Sequence, residues 1–206
     1  EATGELITGD IFFPSHGFEE LPGGIQAGLL FTAPTTGSTP AERFLALSIA
    51  SAHKTLYITN SYFVPDDDFR RLLERVARRG VDVRILTVSS KTDVKTTWYA
   101  GRHWYEELLS SGIRIYEYQP TMIHSKAIVV DGIWSSVGSM NFDNRSLAFN
   151  NESNLVVLDG GFGAGMDSVF FNDLRHSKEI KLAEFKQRSV WNRLLEIGAV
   201  TLSRLL

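Results

Sequence analysis

Between Thr55 and Tyr118 short apolar runs alternate with longer amphipathic ones, and after Pro120 the long ones give way to short runs set close together. Thr55 to Asn60, Val81 to Val88 and Ile113 to Tyr118 read as strands, with Asp66 to Arg79 and Asp93 to Ser111 as the helices between them. The first helix opens on Asp66, Asp67 and Asp68, ends on Arg78 and Arg79, and is stopped by Gly80. That is the charge order a helix dipole favours, with the residue that ends a helix just beyond it. Beyond Pro120, Ile123 to Val130, Ile133 to Gly138 and Ser153 to Leu158 are three further strands, and Asp131-Gly132 is a hairpin turn between the first two. The pattern predicts an α/β fold: one mixed β-sheet of strands near 56–60, 83–88, 113–118, 125–130, 133–137 and 153–158, flanked by helices on both faces.

The two ends are plainer. Residues 1–40 are rich in turn formers and read as an extended lead-in or former linker, within which Ile25 to Thr32 is a candidate short strand. Ser38-Thr39-Pro40 then starts a helix, and residues 41–206 form a single domain whose C-terminal third is mostly helical (Asp167 to Arg175, Ile180 to Leu206). The chain has 206 residues, 43% of them hydrophobic, enough for one sizeable core. A net charge of -3 argues against nucleic-acid binding by bulk charge. The absence of cysteine excludes thiolate nucleophiles and zinc–thiolate sites. No apolar run approaches the roughly 18 residues of a membrane-spanning helix, so a soluble chain is expected. Because the sequence begins at Glu1 rather than Met, a fragment of something longer is expected.

The chemistry concentrates in His124 to Asn141. On a strand, side chains alternate between faces, so His124 and Lys126 stand side by side while Ser125 and Asp131 point the other way. Ser139 and Asn141 share parity on the following strand or its end. Together these residues are suited to a phosphodiester. Neutral imidazole attacks phosphorus without first losing a proton, while an ammonium, a hydroxyl and a carboxamide stabilise the charge that develops on the non-bridging oxygens. A carboxylate orienting the other ring nitrogen completes the device; Glu152 is the candidate, with a plain surface acid as its alternative. Tyr62 and Phe63, at a strand end, suit a substrate entrance or ordinary packing equally. Arg70, Arg71, Arg75, Arg78 and Arg79 read as a solvated helix face. The remaining histidines have no metal-like spacing, and neither metal nor cofactor is expected. The last helix is amphipathic enough to lie on a membrane, although packing against a domain is the commoner fate of such a helix.

The run His124-x-Lys126-x4-Asp131-x6-Gly138-Ser139-x-Asn141 resembles the HKD signature of the phospholipase D superfamily. Asn60-Ser-Tyr-Phe-Val-Pro-Asp66, the stretch from Tyr105 to Tyr118, Asn141-Phe-Asp-Asn-Arg-Ser146 and Asn151-Glu152 resemble the C-terminal catalytic half of bacterial cardiolipin synthases. The resemblance implies a phospholipase D-like half-domain in which His124 is nucleophile or general acid. Lys126, Ser139 and Asn141 would be phosphate contacts, Glu152 an acid bonded to the histidine, and Asp131 and Gly138 structural members of the motif. It implies a phosphatidyltransferase or phosphodiesterase acting on a phospholipid such as phosphatidylglycerol through a phosphohistidine. That mechanism uses two histidines, and this run occurs once. A second HKD half is therefore expected, in a missing N-terminal domain or in a homodimer. A protein peripheral to or anchored at the bacterial cytoplasmic membrane would follow, with nucleic acid an improbable substrate. A homodimeric single-motif nuclease and a non-catalytic phospholipid- or partner-binding module are the alternatives.

Overall fold

The computed structural model describes residues 23–32, 40–143, 146–147 and 150–203. Within these, eight strands form one sheet: β1 (Gln26–Thr32), β2 (Thr55–Asn60), β3 (Asp82–Val88), β4 (Arg114–Tyr118), β5 (Lys126–Val130), β6 (Trp134–Gly138), β7 (Glu152–Leu158) and β8 (Ser177–Ile180). Their spatial order is β1-β7-β6-β5-β2-β3-β4-β8. Strands β2, β3 and β4 run parallel, and every other neighbouring pair is antiparallel. The expected mixed sheet of an α/β fold is present.

Strand parity divides the core. Ile58, Ile85, Ile115, Ile128 and Val130 pack with Leu45 and Ile49 of α1 (Pro40–Ala50), Leu73 and Val76 of α2 (Asp67–Arg78) and Leu108 of α4 (Tyr105–Ser110). Their neighbours in sequence, Tyr57, Leu86, Tyr116 and Val129, meet Phe170 of the long helix α5 (Gly160–Leu174) on the opposite face. Among the described residues two more helices follow, α6 (Leu182–Lys186) and α7 (Val190–Ser203); α7 lies on α3 (Lys95–His103), with Ala199 and Val200 against Ala100.

Several elements depart from the sequence reading. The candidate strand at Ile25 to Thr32 forms as β1, but it belongs to the sheet rather than to a lead-in, pairing along the whole of β7 from Gln26↔Leu158 to Thr32↔Glu152, ahead of the expected boundary at 40. The helix expected from 93 to 111 is broken at Trp104, whose indole lies under the Arg70 guanidinium at 3.3 Å. The mostly helical C-terminal third contains β8, which extends the sheet beside β4. Helix α5 starts at Gly160, well before the expected Asp167, because Asp159 caps it by accepting from the Phe162 N–H at 2.7 Å. Arg70 is not on a solvated face. It is 6% exposed and bonded to Glu107, Asp67 and the Pro65 carbonyl, since the α2 face that carries it turns towards α4. The cap expected at Ser38-Thr39 lies outside the described residues.

The hairpin at Asp131-Gly132 does more than reverse the chain. Both residues have positive φ, 53° and 68°, and Ile133 N–H bonds the Val130 carbonyl at 3.1 Å. The Asp131 carboxylate then accepts from the backbone N–H groups of His53 (3.0 Å), Lys54 (2.7 Å) and Thr55 (2.8 Å), fastening the start of β2 to the end of β5. Burial alone would raise its pKa, but these three donors together outweigh that and hold the carboxyl below its ordinary range. At the other end of the hairpin, Gly138 is required by a close approach. A Cβ there would sit 2.2 Å from the Ser153 carbonyl oxygen and 2.5 Å from the Asn154 side chain.

Asp131→Ala is expected to cost about 2 kcal/mol or more, because hydrogen bonds to a charged group contribute about 1.5–3 kcal/mol and alanine also resists positive φ. Asp131→Asn, which tolerates that φ, should cost less; urea unfolding measures both. Since the folded carboxyl titrates below the unfolded one, the advantage of Asp over Asn is complete above a pH of about 4 and is lost as the pH falls through the lowered folded value. Gly138→Ala should cost about 1–3 kcal/mol by forcing β6 and β7 apart, with early loss of amide protection along that pair in hydrogen exchange.

Candidate active site

Antiparallel pairing brings the starts of β5 and β7 beside the ends of β2 and β6, and the candidate residues gather at that end of the sheet. Lys126 opens β5 opposite Asn60, the last residue of β2. Gly138 closes β6 opposite Asn154, and Glu152 opens β7. His124 lies two residues ahead of β5, exposed at the end of the sheet. His124, Lys126, Gly138, Ser139, Asn141, Asn150, Asn151 and Glu152 line one open cleft of about 790 Å³.

Lys126 is the unusual member, a cation only 6% exposed. Its Nζ lies 3.1 and 3.2 Å from the two ring nitrogens of His124, and donates to the His124 carbonyl at 3.0 Å and to Ser61 Oγ at 3.5 Å. Burial pulls its pKa below the ordinary lysine value, opposed by the charges of Glu152, Asp143 and Asp93. An ammonium can only donate, so the ring nitrogen it faces at any moment carries a lone pair.

On the facing wall Ser139 Oγ donates to Glu152 and accepts from the Ser153 N–H at 3.0 Å. Asn150 Nδ2 donates to the other Glu152 oxygen at 3.2 Å. The carboxylate read as a partner of the histidine ring is therefore engaged by Ser139 and Asn150, and the group beside the ring is Lys126. Register accounts for this: continued past Gly138↔Asn154, the β6–β7 pairing sets Ser139 beside Ser153, whose carbonyl accepts from the Ser139 N–H at 3.0 Å, and so next to Glu152. Asn141 Nδ2 donates to Ser146 Oγ at 3.4 Å, and its buried Oδ1 has no hydrogen-bond partner among the described residues. Asp131, at the opposite end of β5, touches none of these groups and holds backbone instead.

Tyr62 and Phe63 part company. The Tyr62 ring stands edge-on to the His124 ring, centroids 6.0 Å apart and planes at 82°. Its hydroxyl donates to Asp93 at 2.8 Å, and burial together with that carboxylate raises its pKa to about 12. Phe63 is not at an entrance; it is 3% exposed and packed 5.6 Å from Phe142, because the turn after β2 sends alternate side chains inward.

Asn60 and Ser61 open the Asn60–Asp66 run, but the sequence reading gives them no role in the site. Asn60 donates to the Met140 carbonyl and accepts from the Phe142 N–H, each at 3.2 Å, and so pins the backbone on both sides of Asn141. The available signal was strand parity: Asn60 ends an apolar strand at a position that faces the core. His53, His103 and His176 do not line the cleft, and His16 lies outside the described residues. Among the described residues no His, Asp or Glu side chains group as a metal site, and no helix is long and apolar enough to cross a membrane.

Comparison with known proteins agrees with this geometry. Residues 45–174 match the family described as "Cardiolipin synthase, PLD-like domain". The chain is 35% identical over 205 residues to a cardiolipin synthase of Alkalihalophilus pseudofirmus and 36% identical over 205 residues to cardiolipin synthase 2 of Bacillus anthracis. Each match takes in 99% of this chain but 40% and 39% of those proteins, so the chain spans about two fifths of their length. Among solved structures, the fold is similar to the phospholipase D family member Nuc from Salmonella typhimurium (TM-score 0.63, 20% identity, 76% of this chain and 99% of that one). It is also similar to phosphatidylserine synthase from Haemophilus influenzae (TM-score 0.64, 18% identity, 90% of this chain and 48% of that one). With the signature residues gathered in one cleft and the family match covering more than half of its length, the chain belongs to the phospholipase D-like domain family of the cardiolipin synthases.

Proposed function

We propose that this chain is one half of a phosphatidyl-transfer site, with His124 as its nucleophile. The observation that carries the reading is an exposed imidazole at the mouth of an open cleft, beside a buried ammonium and opposite a hydroxyl and a carboxamide. A nitrogen of His124 attacks the phosphorus of a phospholipid, the P–N bond forms and the bond to the leaving alkoxide breaks. Lys126, Ser139 and Asn141 hold the non-bridging oxygens, where charge increases in the transition state. A second imidazole gives its proton to the leaving alkoxide, then takes one from the incoming hydroxyl, whose oxygen displaces the histidine and regenerates it. Glycerol-bearing phospholipid as acceptor yields cardiolipin; water yields phosphatidic acid.

The cleft is lined by one imidazole, so the second comes from another half, in the same polypeptide or in a second copy. Leu29, Leu155 and Val137 lie in register across β1, β7 and β6 and are exposed, with Phe31 beside them. An uncovered apolar row next to an open site supports a covering partner. Trp191, Leu194 and Ile197 on the outer side of α7 support peripheral contact with a membrane surface.

The test is phosphorus-labelled phosphatidylglycerol presented to the chain after its mass in solution has been measured, with an alkaline quench that preserves phosphohistidine. Label on His124, absent from His124→Ala, is expected. An assembly that turns lipid over without ever carrying label on His124 overturns the nucleophile assignment, and cleavage of DNA without lipid turnover overturns the substrate class. Lys126→Met should lower turnover about 10²–10³-fold, the usual effect of removing one positioned transition-state donor.

A further inference from the structure

The contacts around His124 leave one pair of residues outside the phosphate machinery. Tyr62 comes from the turn after β2 and Asp93 from the turn after β3, 31 residues apart, and the phenol donates to both carboxylate oxygens, at 2.8 and 3.0 Å. The same ring meets both principal groups of the site: it stands edge-on to the His124 ring, and Lys126 Nζ lies 5.9 Å from its centroid. Both distances fall within the range at which aromatic pairs and cation–π contacts are attractive.

We propose that Tyr62 and Asp93 form a positioning pair that fixes the orientation of the His124 ring and the place of Lys126 beside it. A carboxylate can only accept, so the phenolic proton is committed to Asp93 and is not offered to the cleft. Tyr62 is thus not the proton donor to a leaving group. What it contributes is a flat wall, and what Asp93 contributes is the tether that stops the wall from swinging. The charge state supports this arrangement at neutral pH: the phenol is pushed up to about 12, and Asp93 is held below the ordinary carboxylate value, first by the Tyr62 hydrogen bond. The groups facing the ring are His124, Lys126 and Asp93, with the Asp143 charge acting on it from the loop after β6. An orientation fixed in advance matters because attack on phosphorus is in line, and a misaligned ring lowers the rate without weakening binding.

The proposal rests on His124 as the reacting group, and its first readout needs no turnover. In chain labelled with ¹⁵N at histidine, the ring resonances of His124, identified by their loss in His124→Ala, should shift and broaden in Tyr62→Phe and in Asp93→Ala. Those of His53, at the far end of the sheet, should stay in place and report that the variants are folded. Tyr62→Phe and Asp93→Ala should shift them alike, and the double variant should go no further than either, since both remove one tether. In the assembled enzyme kcat should fall about tenfold with KM unmoved. Unchanged His124 resonances in both single variants overturn the proposal. So do additive effects in the double variant, or a change in KM without one in kcat, which would make Tyr62 a substrate contact. An assembly that turns lipid over with no label at His124, the resonance shifts being intact, would overturn the nucleophile assignment and leave the positioning pair standing.

Discussion

Five residue pairs between β2 and β5, from Leu56↔Val130 to Asn60↔Lys126, join the two blocks of this sheet. On one side lies the parallel block β2, β3 and β4, covered by helices that return the chain to the same end. On the other lies the antiparallel block β5, β6, β7 and β1. The seam is fastened at one end by the Asp131 carboxylate on three backbone N–H groups, and at the other end it carries Lys126 beside Asn60. The site is built across that seam. Tyr62 and Ser61 reach it from the parallel block, Ser139, Asn141 and Glu152 from the antiparallel one, and His124 and Lys126 from the seam strand itself.

A cation held at the edge of the protein interior is costly unless something answers it. Lys126 is answered by a carbonyl, a hydroxyl, an imidazole and the more distant charges of Glu152, Asp143 and Asp93, with no carboxylate in direct contact among the described residues. That balance suits a site whose ligand brings its own negative charge. A close carboxylate would occupy the ammonium, whereas the present neighbours hold its position without neutralising its charge. Glu152 serves the opposite wall, where it holds Ser139 in place with the help of Asn150.

Much of this was legible in the residues, for local reasons. The charge order of α2 and the turn at Asp131-Gly132 depend on a few neighbouring positions, and the structure has both; His124, read as part of the strand, lies two residues ahead of β5 but still beside Lys126. What was not legible depends on distant partners. Arg70 looks like its arginine neighbours along the helix, and only Glu107 and Trp104, from another element, bury it. The place of Glu152 follows from the register between β6 and β7, which the long connection from Ser139 to Asn151 leaves open to a sequence reader. Strand β1 was legible as a short strand, but its place in the sheet beside β7, nearly the whole domain away in sequence, was not. Asn60 holds the backbone around Asn141 through contacts 80 and 82 residues distant.

That same separation has a kinetic side. The turn between β5 and β6 closes over a few residues, whereas the clip from Asp131 to His53 closes a loop of 78. Bringing distant segments together costs chain entropy before any contact returns it, and pairings of this kind form slowly. The hairpin with its carboxylate is a local structure; the seam, and with it the meeting of Lys126 with Ser61 and Asn60, joins segments some 65 residues apart. Chemical competence in this fold therefore waits on a long-range closure, and a chain whose helices and hairpin are already in place still has no site until the seam has closed.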